Sequence, residues 1–472
     1  MDTDYNTYSD TWKIMRDFYD WPLRLKDAGT EYLPMTSGMM KDSQSSDSKD
    51  RQYAAQIYAG YQMRAMAGIK GFTRSIIDDS VSTVHKEPST YELPTEYEYL
   101  LEEAGDNGEP LKDVHKNVNH RQFMFSRGGY LLDIDVDGAD AKFYTSSYDP
   151  ERIIRYEYQP NQRKNKLWYV VIDVSERTTV NSESTAKDEY LILGLQDGKF
   201  FQLRTTSEPP EDFNPETVPL TDENFIIYKG NYISEIPFVY ICDRDITPEY
   251  NMPFFINIAY MDWDYYLGMA DYKQHLHENA QGLWVFTGFS KEDIDGTRLG
   301  AGGFSRTENS EAKVEHVGVS PDGLEQQRTA LVDTENSFAE KSVTALKQIS
   351  GESGTAKQLM LDAKTLNLID VVLTGAVGLQ TLLRFIPKWT GSNNLDEFNV
   401  IPNLDFFAKD IDPALIRELV SAKAAGVAIS LETLHNFIRR LNITEKSFEQ
   451  ELEAIKDEEN IIETEQATAE EV

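Results

Sequence analysis

FFINIAYMDWDYYLGMADYKQHLHENAQ, residues 254–281, and GLEQQRTALVDTENSFAEKSVTALKQI, residues 323–349, decide how this chain is organised. In the first, Ile258, Met261, Tyr265, Met269, Tyr272 and Leu276 recur at spacings of three and four, the stripe of an amphipathic helix. The spacing predicts a helix from Phe254 to about Ala280, roughly 40 Å long at 1.5 Å per residue. In the second, Leu331, Phe338 and Ala345 stand seven apart among Glu, Gln, Ser, Thr and Lys. Such a helix packs one narrow edge and leaves a broad wet face. Between them, residues 282–322 have strand-like ends, Leu283–Phe286 and Val314–Val319, around Gly296, Gly300, Gly302 and Gly303. The expectation is a long helix, a small insert, and a second long helix.

On the C-terminal side, the polar run Gln348–Gln358 interrupts the pattern, and a third long helix is expected from near Ala356. From Leu366 it is apolar almost all round, with Pro387 as its stop. Leu366 to Ile386 could pass for a membrane span, but it carries Asp370, Gln380 and Arg384. A central charge costs about 2.5–3.5 kcal/mol on insertion, so a buried helix of a soluble protein is the reading. Phe398–Leu404 reads as a strand-like connector. Asp412-Pro413 starts a helix that Gly426 ends, Ser430 caps another, and an acidic tail from Glu445 frays.

On the N-terminal side, Asp10 is read as the cap of a short helix holding Trp12, Ile14, Met15 and Phe18, and Thr36–Asp50 as a polar linker. Tyr53, Ile57, Tyr61 and Ala65 predict a helix that Gly68 and Gly71 break before another runs to His85. From Tyr91 to Asp245 the pattern is mixed. Tyr130–Asp135, Trp168–Val174, Tyr190–Leu195, Phe200–Arg204, Phe225–Tyr228 and Pro237–Ile241 are short apolar runs, and Gln196–Lys199 is a hairpin signal. Thr205–Pro219 reads as a surface loop. The fold class is α+β.

Composition narrows function. The 472 residues suffice for several cores, and 46 Lys+Arg against 80 Asp+Glu give a formal charge of −34. Affinity for phosphate comes from Lys and Arg, so tight static binding of DNA is disfavoured. Cys242 is the single cysteine, which fits a reducing site of synthesis and gives no zinc cluster. MDTDYNTYSD at the start has no basic-then-apolar signal pattern. Asp133-Ile134-Asp135-Val136-Asp137-Gly138 mimics a calcium loop, but Tyr144 stands where the loop needs its bidentate Glu, so a hairpin turning at Asp137-Gly138 is expected. His275 and His277 lie two apart, on different helix faces, and read as exposed. Gly300–Gly303 lacks the Lys and Ser/Thr of a phosphate loop, and no G-x-S-x-G exists. Asp262 and Asp264 read as a solvated face. No catalytic set, metal site or cofactor is expected.

One series of short motifs remains. Trp12, Arg16 and Asp17 are followed by Gly29 and Tyr32-Leu33-Pro34, then Arg64-Ala65, Lys86-Glu87-Pro88 and Leu93-Pro94. Gly128-Gly129-Tyr130-Leu131-Leu132-Asp133, Tyr148-Asp149-Pro150-Glu151-Arg152-Ile153-Ile154, Ile236-Pro237-Phe238 and Ala270-Asp271 continue it. In this order and spacing the chain resembles the portal proteins of tailed bacteriophages, with Tyr156 where that family tends to place Trp. Gly354-Thr355-Ala356 departs from a Glu-Thr-Ala-like triplet common in relatives.

The resemblance implies a portal fold: a mixed α/β wing (1–250), stem helices (251–281 and 323–347), a clip (282–322), a tunnel loop (348–357), a long wing helix with a return strand (358–408), and a helical crown with an acidic tail (409–472). It implies a homo-oligomeric ring, a dodecamer in the family, at one capsid vertex of a virion assembled in a bacterial cytoplasm. Double-stranded DNA would pass through the ring during packaging and ejection. The terminase large subunit, then head–tail adaptor or tail proteins, and the major capsid protein would be its partners; no membrane and no enzymatic activity are implied. Gln348, Ser350, Glu352, Ser353, Thr355 and Lys357 would face the DNA, where short, nearly charge-balanced polar groups suit transient contact; a solvated linker is the plain alternative. In the clip, Phe289, Arg298, Phe304 and Arg306 are aromatic and Arg anchors of the kind that hold partners, against ordinary loop packing. Two further readings stand beside the portal: another head–tail connector ring, and an acidic hydrolase.

Overall fold

The computed structural model describes residues 3–135, 141–160, 166–180, 183–281, 283–295, 307–317, 321–341, 355–404, 421, 423, 430–440, 446–448, 450–452 and 454–456. It has the mixed helix-and-sheet class read from the sequence. The chain divides into two compact units, 1–345 with 364–404, and 346–363 with 405–472.

The first unit opens with helices α1 (Thr3–Tyr19), α2 (Leu23–Ala28), α3 (Ser37–Ser43), α4 (Ser48–Met66) and α5 (Phe72–Val84). Trp12, Met15 and Phe18 are fully buried on one side of α1. Asp10 lies in the middle of that helix and caps nothing, which corrects its sequence reading. The expected linker at Thr36–Asp50 is also corrected. Thr36 accepts the Met39 amide at 3.5 Å and Asp47 the Lys49 amide at 2.9 Å, so these polar residues start helices α3 and α4. The break before α5 is where it was expected. Gly71 takes φ 68°, a left-handed conformation other residues rarely hold.

Next come β1 (Thr90–Glu92), α6 (Leu111–Phe125), β2 (Arg127–Asp135), β3 (Lys142–Tyr148), β4 (Ile153–Tyr158), β5 (Leu167–Asp173), β6 (Glu176–Val180), β7 (Glu183–Lys187), β8 (Tyr190–Gln196), β9 (Lys199–Thr205), β10 (Ile227–Tyr228), β11 (Asn231–Tyr232) and β12 (Phe238–Cys242). Strands β12-β2-β3 form one antiparallel sheet and β4-β5-β8-β9 another. Gln196 pairs with Lys199 across a two-residue turn in which Asp197 (φ 51°) and Gly198 (φ 70°) are both left-handed, the twist-compatible hairpin turn. The turn expected at Asp137-Gly138 lies outside the described residues, but β2 and β3 pair up to Asp135 and Lys142 on either side of it. A shared core takes in Leu131, Leu132, Phe143, Val170, Leu193, Phe200, Tyr240 and Trp389.

The helix–insert–helix arrangement is present. It runs through α7 (Ile256–Gln281), β13 (Leu283–Thr287), α8 (Lys291–Asp295), β14 (Lys313–Val317) and α9 (Pro321–Lys341). Strands β13 and β14 pair antiparallel from Leu283–Val317 to Thr287–Lys313. Leu331 is the buried edge of α9, and Phe338 stacks on Phe72 at 4.4 Å; Ala345 lies outside the described residues. The stripe of α7 is broader than its sequence reading: Ala259, Asp262, Tyr266 and Ala270 join Ile258, Tyr265 and Met269, while Leu276 is exposed. Four helices (α1, α4, α5 and α9) pack around α7, so no single narrow stripe describes it.

Helix α10 (Thr355–Leu383) ends before Pro387, which sits in the first turn of α11 (Phe385–Thr390); the stop is Gly391 at φ 72°. A first-turn amide has no partner within its own helix, so proline is tolerated there. Residues 368–390 are apolar and long enough to cross a membrane. Leu368, Val371, Val372, Ala376, Leu379 and Leu382 are buried in protein, yet Leu373 and Val377 are exposed, so burial is not all round. β15 (Asn399–Ile401) returns to pair with β1. In the second unit, α12 (Leu431–Arg440) follows Ser430 as expected, and the His435 imidazole meets the Lys446 carbonyl at 3.1 Å and the Phe448 ring at 5.5 Å. Asp412-Pro413, Gly426 and most of the expected crown and tail lie outside the described residues.

Candidate functional site

The expected DNA-facing and partner-facing residues are only partly within view. Gln348, Ser350, Glu352 and Ser353 lie outside the described residues, as do Arg298, Phe304 and Arg306. Thr355 and Lys357 fall in the first turn of α10, a correction to a loop running to 357: the good helix formers after Gly354 carry the helix back to Thr355. Phe289 follows β13, half-buried, its ring edge-on to Phe286 at 5.2 Å. The backbone turns at Gly288 (φ 78°), whose carbonyl accepts Asn309 Nδ2 at 2.8 Å, so this turn is tied to the segment before β14.

The motif series does converge, and on the two long helices and the sheets. Arg16 on α1 places its Nε 2.6 Å from Glu151 and its second terminal nitrogen 2.9 Å from Asp149. Arg121 on α6 holds the other Asp149 oxygen at 2.8 Å, and the Phe125 ring lies 4.9 Å from the Arg16 guanidinium. Burial pushes the Asp149 carboxyl up, but Arg121 and Arg16 outweigh it and hold it below the usual range. At Glu151 burial wins over Arg16, and the pKa is raised. These are groups of a charge cluster that clamps α1 to the strand entry at Tyr148–Ile154.

A second junction joins the N-terminal motif to α7. The Tyr32 hydroxyl donates to buried Asp17 at 2.8 Å, the Tyr32 carbonyl accepts the Trp263 indole N–H at 2.9 Å, and Lys13 reaches Asp17 at 3.1 Å. The Tyr61 hydroxyl donates to Asp271 at 2.7 Å, and Arg64 bonds Gln274, so the Arg64-Ala65 and Ala270-Asp271 motifs are the two sides of one helix contact. At Gly129 an added Cβ would stand 2.4 Å from Phe238 Cζ and 2.5 Å from Ile153 Cδ1. Three motifs thus meet at one close-packed point, and the pattern G-G-Y, E-R-I-I and I-P-F is the record of that packing.

Asp262 was misread and Arg127 missed. Asp262 is fully buried rather than solvated; its carboxylate accepts the Phe72 amide at 2.9 Å, the Thr73 amide at 2.6 Å and the Thr73 hydroxyl at 2.7 Å. A side chain of α7 therefore caps α5, and burial raises its pKa despite those donors. The signal was its place in the stripe, four after Ile258 and three before Tyr265. Asp264, by contrast, is exposed as expected. Arg127 is buried, with its guanidinium 4.3 Å from the Tyr250 ring and 4.5 Å from that of Tyr240, a cation seated on aromatic faces.

For chemistry the described residues offer little. Burial pushes the Cys242 thiol up to about 12, leaving it far from the reactive thiolate. Burial, helped by neighbouring His85, depresses His115 to about 3, and its Nδ1 contacts the Tyr91 hydroxyl at 3.0 Å. Asp133 of the false calcium loop takes Gln202 Nε2 at 3.0 Å and the Tyr144 hydroxyl at 3.3 Å. His275 and His277 are half-buried, not exposed, and His275 meets Gln327 of α9 at 3.0 Å. No group of three or more His, Cys, Asp or Glu poised for a metal occurs among the described residues.

Residues 254–390 match a family described as a domain of unknown function (DUF4055), a stretch running from α7 through α11. Among solved structures, a chain from the neck of an empty GTA particle computed with C6 symmetry is similar over 82% of this chain and 93% of that one, at 12% identity and a TM-score of 0.34. A likeness at that level carries no argument. Among curated proteins none matches the chain.

Proposed function

We propose that this chain is the subunit of a ring that conducts double-stranded DNA through one vertex of a tailed-phage capsid, a portal protein. The observation that carries the reading is the meeting of its motif fragments. Arg16 with Glu151, and Gly129 with Ile153 and Phe238, are contacts between segments that the resemblance singled out separately, and Asp271 of a further such segment accepts Tyr61 of the helix that carries Arg64-Ala65. The helix–insert–helix order of α7, β13–β14 and α9 is the second support. An adaptor ring would lack the helix–insert–helix arrangement and be a shorter chain, and a hydrolase would need converging reactive groups.

In this reading the chain performs no chemistry of its own. Its net charge of −34 keeps DNA moving, because a wall of phosphate-binding cations would hold it. The insert around Phe289 meets the packaging motor and later an adaptor, and the segment ahead of α10 meets the DNA. Native mass spectrometry of the purified chain tests this. Closed assemblies at one integral multiple of 53.9 kDa are expected. A stable monomer at micromolar concentration in several salts contradicts the reading.

A further inference from the structure

The end of α5, β1, α6, the end of β12 and α10 are joined by a buried run of amides and imidazoles. Gln122 of α6 donates through Nε2 to the Cys242 carbonyl at 2.6 Å and to the Val371 carbonyl of α10 at 3.1 Å. Its Oε1 accepts Asn119 Nδ2 at 2.7 Å. Asn119 Oδ1 is then left to accept, so the His85 Nε2 lying 2.8 Å away carries the hydrogen. The His85 ring stands edge-on to His115 at 5.3 Å, and His115 Nδ1 contacts the Tyr91 hydroxyl at 3.0 Å. His115 Nε2 is closed from solvent and has no hydrogen-bond partner. His115, Asn119 and Gln122 are fully buried. The joint is tight against α10, where a Cβ at Gly375 would stand 2.6 Å from both Asn119 Nδ2 and Gln122 Oε1. Beyond it, Ala376, Leu379, Leu382 and Leu383 fix the same helix into the shared core.

We propose that this joint is an acid-sensitive latch: proton uptake at His85 and His115 releases α10 ahead of Ala376 from α6, while the core behind it stays closed. An imidazolium donates through both nitrogens, and His115 has one hydroxyl oxygen within reach. Two cations 5.3 Å apart in a closed site also repel. The surroundings do not compensate. On α6, Lys116 opposes a charge on His85, Asp113 acts on Tyr91, and His120 turns to Tyr19 of α1. Tyr91 itself is pushed up to about 12 by burial and stays neutral. Lys86 and Glu87 after α5 are exposed and of opposite sign, and α10 carries no charge between exposed Asp370 and Arg384. Beside Cys242, burial raises the Asp243 carboxyl, so acidification removes that negative charge rather than supplying one. Burial, then His85, hold His115 neutral with a pKa of about 3, and burial lowers His85. Both lie below the ordinary value of about 6.5, so the opened joint binds protons first, and the closed form is lost as pH falls below about 6.5. The latch holds whether or not the chain forms a ring.

The test is amide hydrogen exchange of the full chain, read by mass spectrometry from pH 7.5 to 5, with each rate divided by the intrinsic rate at that pH. From His115 alone the opening constant should rise about thirtyfold over this span, and His85 adds to it. The rise is expected in peptides from α6 and from residues 368–375, and not in strands β5 and β8. The variant His85→Gln with His115→Phe and Tyr91→Phe keeps a donor for Asn119 and removes both titrating rings. Its exchange in the same peptides should change less than about threefold. Should that variant fold poorly, His85→Gln alone takes its place, and the rise should fall back to the roughly thirtyfold of His115; a rise equal to the wild type's would overturn the paired latch. No rise in the wild type, a rise shared equally by β5 and β8, or one that survives in the triple variant would overturn it as well.

Discussion

Replacing Asp262 with Ala removes the acceptor that α7 presents to the start of α5. Two backbone amides, Phe72 at 2.9 Å and Thr73 at 2.6 Å, and the Thr73 hydroxyl at 2.7 Å lose their partner in a site closed to water. A buried donor left unpaired costs about 1–3 kcal/mol, and loss of a helix cap about 0.5–2 kcal/mol. Against this stands the relief of a desolvated carboxylate, whose raised pKa records the strain of holding charge there. The balance is a loss of about 3 kcal/mol, equivalent to roughly a hundredfold in a local opening constant. Asp262→Asn keeps one acceptor oxygen and should lose about half as much. Amide hydrogen exchange read at Phe72, Thr73 and the first turn of α5 is the assay, with the thermal midpoint beside it. Protection in the Ala variant within threefold of wild type would refute the claim that this carboxylate caps α5. The sign with pH also follows. Between the usual 3.8 and the raised value, the folded chain holds the proton more tightly than the unfolded one, so Asp262 lowers stability as pH rises through that window. The Asn variant should flatten that part of the profile.

Arg16→Met strips the cation from Glu151 and leaves Asp149 with Arg121 alone; a loss of about 2 kcal/mol in urea unfolding is expected for a partly buried cluster, with Arg16→Lys intermediate. Gly129→Ala drives a methyl into Phe238 and Ile153 and should cost about 1–3 kcal/mol by the same measurement, with unchanged secondary structure. His115 is held neutral by burial, with a pKa near 3 against a usual 6.5, so the unfolded chain takes up the proton first and stability falls as pH drops below about 6.5. The double variant His115→Phe with Tyr91→Phe should show a shallower fall in thermal midpoint between pH 7 and 5 than the wild type.

The parts of the fold legible in the sequence were those in which one periodicity governs a long segment. The helices α7 and α9, the insert between them, the hairpin at Asp197-Gly198 and the break at Gly71 all follow from spacing or turn chemistry. Where burial is imposed by several neighbours, the pattern misled. Asp262 looked like one carboxylate among eighty acidic residues, although its position on the stripe marked it as internal. Thr36 and Asp47 read as linker because the same residue types serve loops and helix caps. Helix α6 went unread although Leu111, Val114, Val118 and Phe125 lie at helical spacing, because His115, Asn119 and Gln122 take three of its other buried positions and interrupt the apolar stripe. Strand β3 was legible only at its start, as the far arm of the hairpin at Asp137-Gly138; its continuation was hidden by Thr145 and Ser146, buried polar residues where alternation calls for apolar ones. The motif fragments were visible as an order of residues; their meaning as contacts needed three dimensions.

Electron microscopy of the purified full-length chain bears on the central claim most directly. The account predicts closed rings of one subunit number, viewed down the axis with an open central hole that admits a DNA duplex, and with α7 and α9 running side by side around it. Monomers or closed two-fold dimers without a channel, at concentrations and salts where the fold is intact, would contradict it.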